Sequence, residues 1–249
     1  ADPATDEAAP GGNDGKTVPV SFAAELPATR ATIEIGDDRF NGAWEVDIDK
    51  LGIHATLNGV AQINKPFVFS SEGIFKGELT PGTGAWTYLA YYPHGEQSLN
   101  GTSATIPFGN TRIQKGGTYN SLFDILIAPA QTTANSAEGV DDSGERIRFN
   151  MQRLTSILDF DLTNSTSDPI RCVLLTAAKS LNFDLAQGEA AAPALDTEER
   201  SKSILINFDG GSASAAAQLD AFFNVLPGNY NLNLDIITAT KQMASVKID

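Results

Sequence analysis

Apolar residues return at every second position through much of the chain. Ile147-Arg148-Phe149-Asn150-Met151 shows the period, and so do Leu158-Asp159-Phe160-Asp161-Leu162, Leu181-Asn182-Phe183-Asp184-Leu185 and Tyr230-Asn231-Leu232-Asn233-Leu234-Asp235-Ile236. Successive side chains of a β-strand point to opposite faces, so this period predicts strands with one dry face and one wet face. The wet positions are mostly Asp and Asn, which are poor strand formers and are tolerated where the other face is firmly buried. Several such strands make half-buried antiparallel sheets, and two sheets face to face make a sandwich. The expected fold class is all-β.

Earlier segments carry the same signal more faintly, at Val18 to Phe22, Ala31 to Ile35, Ile53 to Leu57, Phe67 to Phe69, Trp86 to Tyr92 and Leu122 to Ala128. Turn clusters separate them: Gly36-Asp37-Asp38, Leu57-Asn58-Gly59, Pro81-Gly82-Thr83-Gly84 and Lys115-Gly116-Gly117. Ala215 to Leu226 fits a helical face or a strand. The Pro227-Gly228-Asn229 turn that follows favours the strand.

The organisation expected from these patterns has three parts. Residues 1–16 are almost free of hydrophobes and read as a flexible tether. Ala130 to Gly144 is a polar stretch that reads as a long loop or linker. Two sandwich domains are therefore expected, over 17–138 and 146–249, with the boundary within 130–146. The second core is expected to hold Ile147, Phe149, Leu158, Phe160, Leu162, Leu181, Phe183, Leu185, Leu232, Leu234 and Ile236.

Composition narrows the function. A net charge of −14 disfavours nucleic acid and anionic membrane surfaces as partners. No apolar run reaches the roughly 18 residues of a membrane-spanning helix. The single cysteine, Cys172, has no internal disulfide partner and sits in the apolar run Ile170 to Leu175, so a buried, unmodified thiol is expected.

Catalytic constellations are missing from the sequence. There are two histidines, His54 and His94, and neither belongs to an HExxH motif. No Gly-x-Ser-x-Gly elbow occurs, and no cofactor or metal is called for. The carboxylate pairs Asp37-Asp38, Asp47 with Asp49, Asp141-Asp142 and Glu198-Glu199 have the chemistry for calcium or for glycoside hydrolysis, but the plainer reading is solvated charge, since no EF-hand spacing occurs. Trp86, Tyr88, Tyr91 and Tyr92 form the one binding-like cluster, a candidate platform for a sugar ring or a partner; the plainer reading is sandwich core and rim.

Several of these segments resemble the fimbrillin-like surface proteins of Bacteroidetes, a group that includes the type V pilins. Ala28-Thr29-Arg30-Ala31-Thr32, Trp44-Glu45-Val46-Asp47 and Leu51-Gly52-Ile53 are similar to that family's opening, with Asp47-Ile48-Asp49-Lys50 replacing its usual Gly-Asp step. Tyr91-Tyr92-Pro93-His94 resembles a family strand end. Phe149 to Phe160 looks like the start of its second domain, with Gln152 or Arg153 where a His is common. Val225-Leu226-Pro227-Gly228-Asn229-Tyr230 is similar to its "LPG.Y" turn.

The resemblance implies two transthyretin-like antiparallel β-sandwich domains and a lipid anchor on the precursor. It places the protein on the cell surface, attached to the outer membrane or in a fimbrium, as a non-enzymatic subunit or adhesion protein. Its partners would be other pilus subunits or itself, by strand addition, or else a host protein or glycan. In pilins it also implies strand donation after an arginine-specific protease removes an N-terminal strand. Arg30 is the candidate processing site, and Val18, Val20 and Phe22, or Val246 and Ile248, are the candidate core-facing residues of exchanged outer strands. The rival reading is a surface lipoprotein that captures glycans through the aromatic cluster without polymerising.

Overall fold

The computed structural model describes residues 16–27, 34–35, 38–39, 43–61, 65–94, 98–100, 103–107, 110–120, 124–135, 137–181, 184–187, 194–196, 201–209, 218–241 and 243–248. Among these residues every regular element is a strand. In chain order the first are β1 (Val18–Glu25), β2 (Glu34–Ile35), β3 (Asp38–Arg39), β4 (Lys50–Leu57), β5 (Val60–Ala61), β6 (Lys65–Phe69), β7 (Phe75–Leu79) and β8 (Trp86–Tyr92). Then come β9 (Ser98–Asn100), β10 (Ser103–Pro107), β11 (Thr111–Lys115), β12 (Leu126–Ile127), β13 (Gln131–Thr133), β14 (Arg148–Asn150), β15 (Gln152–Arg153) and β16 (Ser156–Thr163). The last are β17 (Ile170–Ala177), β18 (Asp184–Gln187), β19 (Ala194–Asp196), β20 (Ser203–Asp209), β21 (Gln218–Val225), β22 (Leu232–Thr238) and β23 (Met243–Ile248).

The largest sheet has ten strands in the order β14-β1-β7-β6-β4-β8-β12-β15, with β13 also on β8 and β5 on β4. Its hairpin between β4 and β5 turns on Asn58 and Gly59, both with positive φ (50° and 78°), the geometry that matches strand twist in two-residue loops. Between β4 and β8, Gly52 stands opposite Tyr91. A Cβ on Gly52 would lie 1.9 Å from the Tyr91 ring, so only glycine lets that ring cross the strand.

One face of this sheet buries the first core, which includes Phe22, Leu51, Ile53, Phe67, Phe75, Trp86, Tyr88 and Phe149. The second core lies between the β16–β21 pair and a five-stranded sheet of order β11-β20-β17-β22-β23. A four-stranded sheet, β19-β18-β10-β9, and the short β2–β3 pair complete the described strands.

Two strands cross over from the place their sequence neighbours suggest. β14 runs parallel to the end of β1, Ala23↔Arg148 to Glu25↔Asn150, and Ile147, Phe149 and Met151 enter the first core. This corrects the expectation that Ile147 and Phe149 open the second core: their alternation is real, but the free edge of β1 captures it. The 130–146 stretch does not part the two cores either. β13 pairs with β8, and the Ile147 N–H donates to the Gly139 carbonyl, so this stretch is stitched to the first sheet. Conversely, β11 belongs to the second sheet, parallel to β20 from Thr111↔Leu205 to Lys115↔Asp209.

Other expected second-core residues stand as follows. Leu162, Leu181 and Leu234 are buried in it, while Leu158, Phe160, Leu232 and Ile236 are partly buried against it. Phe183 lies outside the described residues, and Leu185 is placed only by its register opposite Ile106. Gln218 to Val225 is indeed a strand, paired along its whole length with β16.

Candidate functional site

β1 is held unequally on its two sides. Toward β7 it has an antiparallel ladder over its first five residues, from Val18↔Leu79 to Phe22↔Phe75. On the other side, β14 reaches only Ala23 to Glu25. Val18 to Phe22 thus form an outer stretch with no second ladder among the described residues, and Arg146 Nε donates to Ser21 Oγ across it at 3.0 Å. The side chains nevertheless go deep. Val20 is 6 % exposed and Phe22 is fully buried, while Val18 is half-buried against the same core. The Phe22 ring meets those of Phe67 at 5.0 Å, Tyr88 at 5.1 Å and Phe149 at 5.4 Å.

Arg30 lies outside the described residues. β1 ends at Glu25, and its last turn is pinned by Trp44 Nε1, which donates to the Ala24 carbonyl at 3.0 Å.

Toward the C-terminal side, β23 pairs only with β22 among the described residues and is an edge strand there. Ile248 packs against the second core, but Val246 is 48 % exposed. The core-facing pair is therefore Val20 and Phe22 of β1, while in β23 Ile248 packs inward and Val246 stays open. Val246 lies on the inner face, beside Leu234, yet among the described residues no strand of the opposite layer covers it.

The aromatic cluster is corrected as well. Trp86, Tyr88, Tyr91 and Tyr92 are all buried, and no ring face is open to a sugar. β8 is a central strand, and both of its faces are covered. Trp86, Tyr88 and Tyr92 face the first core, and Tyr91 packs on the other side with Ile127 and Leu154. Trp86 stacks on Tyr88 at 5.6 Å. The Tyr88 hydroxyl accepts from the Gly139 N–H at 3.0 Å, and burial pushes its pKa up to about 12. Tyr92 donates to Asp49 Oδ1 at 2.6 Å, which satisfies a buried carboxylate.

The remaining chemically capable groups are tied into the scaffold. Asp141 Oδ1 accepts from Ser143 and from the Glu145 N–H, while Asp142 Oδ1 accepts from Thr133 and from the Ala134 N–H. These carboxylates shape a turn. Asp37, Glu198 and Glu199 lie outside the described residues. Among the described residues no group of three His, Cys, Asp or Glu is spaced to hold a metal ion. His54 is buried on β4, and that burial lowers its pKa. Cys172 is buried on β17, and burial pushes its thiol up.

On the outer face of the β16–β21 pair, Asp161 stands directly opposite Asp220, with Asp159 on the same face. Desolvation first, then Asp220 and Asp161, pushes Asp159 up to about 6. A carboxyl whose folded pKa is raised binds its proton more tightly in the folded state. Its ionisation therefore costs stability above about pH 6, and that cost disappears as pH falls toward the ordinary carboxylate value. Asp159→Asn is expected to melt about 1–3 °C higher than the parent chain at pH 7.5, a modest shift because solvent screens the site. The advantage should vanish near pH 4. Thermal melts at both pH values check this, and an equal gap at each would contradict it.

Sequence reasoning missed a buried polar seam between the two cores. Asp124 and Arg153 form a bidentate ion pair. Asn224 Nδ2 donates to the Tyr119 hydroxyl at 2.9 Å and to Thr155 Oγ1 at 3.2 Å. Gln114 donates to the Asp220 carbonyl and accepts from the Phe222 N–H, which caps the free edge of β21. β11 carries a misleading pattern: Arg112 and Gln114 are buried, while Ile113 is 60 % exposed.

A family model described as fimbrillin-like matches residues 29–248. Among solved structures, the chain is similar to a candidate cell adhesion protein of Bacteroides ovatus, with TM-score 0.50, 17% identity, and 93% of this chain and 86% of that one covered. It is also similar to a candidate adhesin of Bacteroides ovatus, with TM-score 0.43, 10% identity and coverage of 92% and 76%. The tip fimbrial protein Mfa3 of Porphyromonas gingivalis matches with TM-score 0.34, 13% identity and coverage of 93% and 81%. No curated protein sequence matches the chain significantly. The all-β fold is shared with the first of these structures, and the family match spans nearly the whole sequence: the chain belongs to the fimbrillin-like family.

Proposed function

We propose that this chain is a non-enzymatic, cell-surface fimbrial or adhesin-like subunit that joins a neighbour by exchange of β1. Family membership supports the subunit reading. One observation carries the exchange: among the described residues Val18 to Phe22 of β1 are laddered on the β7 side only, yet this stretch fills the first core with Val20 and Phe22. Its removal would leave an apolar groove lined by Phe67, Phe75, Tyr88 and Phe149, with the β7 edge unpaired. A donated strand of the same apolar period restores both the ladder and the packing. Each of the two side chains contributes about 1.5–3 kcal/mol by burial, enough to make refilling favourable. Cleavage at Arg30 would cut just beyond the strand and free it to leave.

The test is deletion of residues 1–30. The expected result is polymer by light scattering, or a lowered melting temperature that a synthetic peptide of residues 18–25 restores. A soluble monomer with an unchanged melting temperature would sink the exchange. Glycan capture by the aromatic cluster is not proposed, because all four rings are buried.

A further inference from the structure

The second core has layers of unequal width. Among the described residues five strands stand on one side, but only β16 and β21 stand opposite. The two edges of the narrow layer are treated differently. The β21 edge is closed by the Gln114 side chain, whose amide bonds the Asp220 carbonyl at 2.6 Å and the Phe222 N–H at 3.1 Å, as a neighbouring strand would. The β16 edge has no such cap among the described residues, where its only ladder partner is β21.

Beyond that bare edge the facing sheet is partly exposed. In β23, Val246 stands beside Leu234 and Ile248 beside Leu232, so both share the inner face. Leu234 is 3 % exposed, whereas Val246, one strand farther out, is 48 % exposed. The covering layer therefore ends between them. Leu158 on β16 is likewise only partly buried. An open cavity of about 650 Å³ marks one end of this trough, lined by Leu158, Lys179, Tyr230, Leu232 and Ile248.

We propose that the trough between β16 and β23 accepts an extended segment of a partner chain, with apolar side chains at alternate positions and Lys or Arg between them. A strand of about six residues laid along β16 would satisfy its free backbone groups and drop every second side chain onto Leu158, Leu232 and Val246. The intervening side chains would stand on the outer face, beside Asp159 and Asp161, at the roughly 5 Å spacing of cross-strand neighbours. Both carboxylates are exposed there, with Asp220 alongside, so a cation is the matching charge. The net charge of −14 adds longer-range attraction for a basic segment. This site is built on the second core, so it does not rest on exchange of β1.

The test uses the full chain, with β1 in place, and a fluorescent peptide that alternates valine or isoleucine with lysine over seven residues. Saturable binding is expected by anisotropy. Glutamate in place of lysine should weaken it by about tenfold or more. Val246→Lys, at an already exposed position, should do the same while leaving the melting temperature unchanged. A peptide of the same residues reordered to lose alternation, or one N-methylated along the edge that meets β16, should not bind. Equal binding of either control, or an unaltered affinity in Val246→Lys, would overturn the proposal. Self-association of the chain without peptide, abolished by Val246→Lys, would also overturn it, by making the occupant a second copy.

Discussion

Phe22→Ala is expected to destabilise the chain by about 3–5 kcal/mol, the range for truncating a buried aromatic side chain. Phe22 is fully buried and touches the rings of Phe67, Tyr88 and Phe149, which come from three different strands. The site cannot collapse to close the cavity. β1 is fixed by its ladder to β7 and by β14, and Tyr88 is held by its bond to the Gly139 N–H. A melting-temperature fall of roughly 10 °C follows from such a loss in a chain of this length. Ser21→Ala, one residue away on the outward face, should change stability by no more than about 0.5 kcal/mol. Urea unfolding of the two variants measures the contrast. A cost below about 1 kcal/mol for Phe22→Ala would mean that β1 contributes little to the core, and strand exchange would lose its energetic basis.

The parity of the strands was legible in the sequence. Trp86, Tyr88, Ala90 and Tyr92 do share one face, with Tyr91 on the other, as a period of two requires. Leu158, Phe160 and Leu162 face the second core, and Asp159 and Asp161 face away. Strand partners were not legible, because alternation states which face is dry but not which sheet provides the cover. Ile147, Phe149 and Met151 show this. Their pattern is as strong as any in the chain, yet a parallel pairing with β1, more than 120 residues away, decides their core.

The seam was hidden for a different reason. Arg112, Gln114, Asp124 and Asn224 are polar residues that sequence patterning assigns to the surface, and each is buried. Their burial depends on partners far along the chain: Gln114 bonds β21 backbone groups more than 100 residues on, and Asn224 bonds Tyr119. No local period announces such pairings. The same limit explains the aromatic cluster. A Trp and three Tyr on one strand look like a platform until sheets and loops on both sides are placed.

Asp124→Ala is expected to cost about 3–5 kcal/mol, because it strands the Arg153 guanidinium in a desolvated seam. The pair is bidentate, with Arg153 Nε on Asp124 Oδ1 at 2.7 Å and Nη2 on Oδ2 at 2.6 Å. The side chains are 5 % and 19 % exposed, so water can solvate the orphaned charge only in part. Asp124 also accepts from Thr155 Oγ1, at the far end of the Asn224 and Tyr119 network, so the loss spreads along the seam. Removing both charges gives the decisive comparison. Asp124→Leu with Arg153→Met replaces the pair by apolar side chains and should recover most of the loss, since desolvating two charges offsets much of their attraction. Denaturant unfolding of the single and double variants tests this. A single variant within about 1 kcal/mol of the parent would show that the two cores hold together without the ion pair, and that the joint is carried by Gln114 and Asn224 instead.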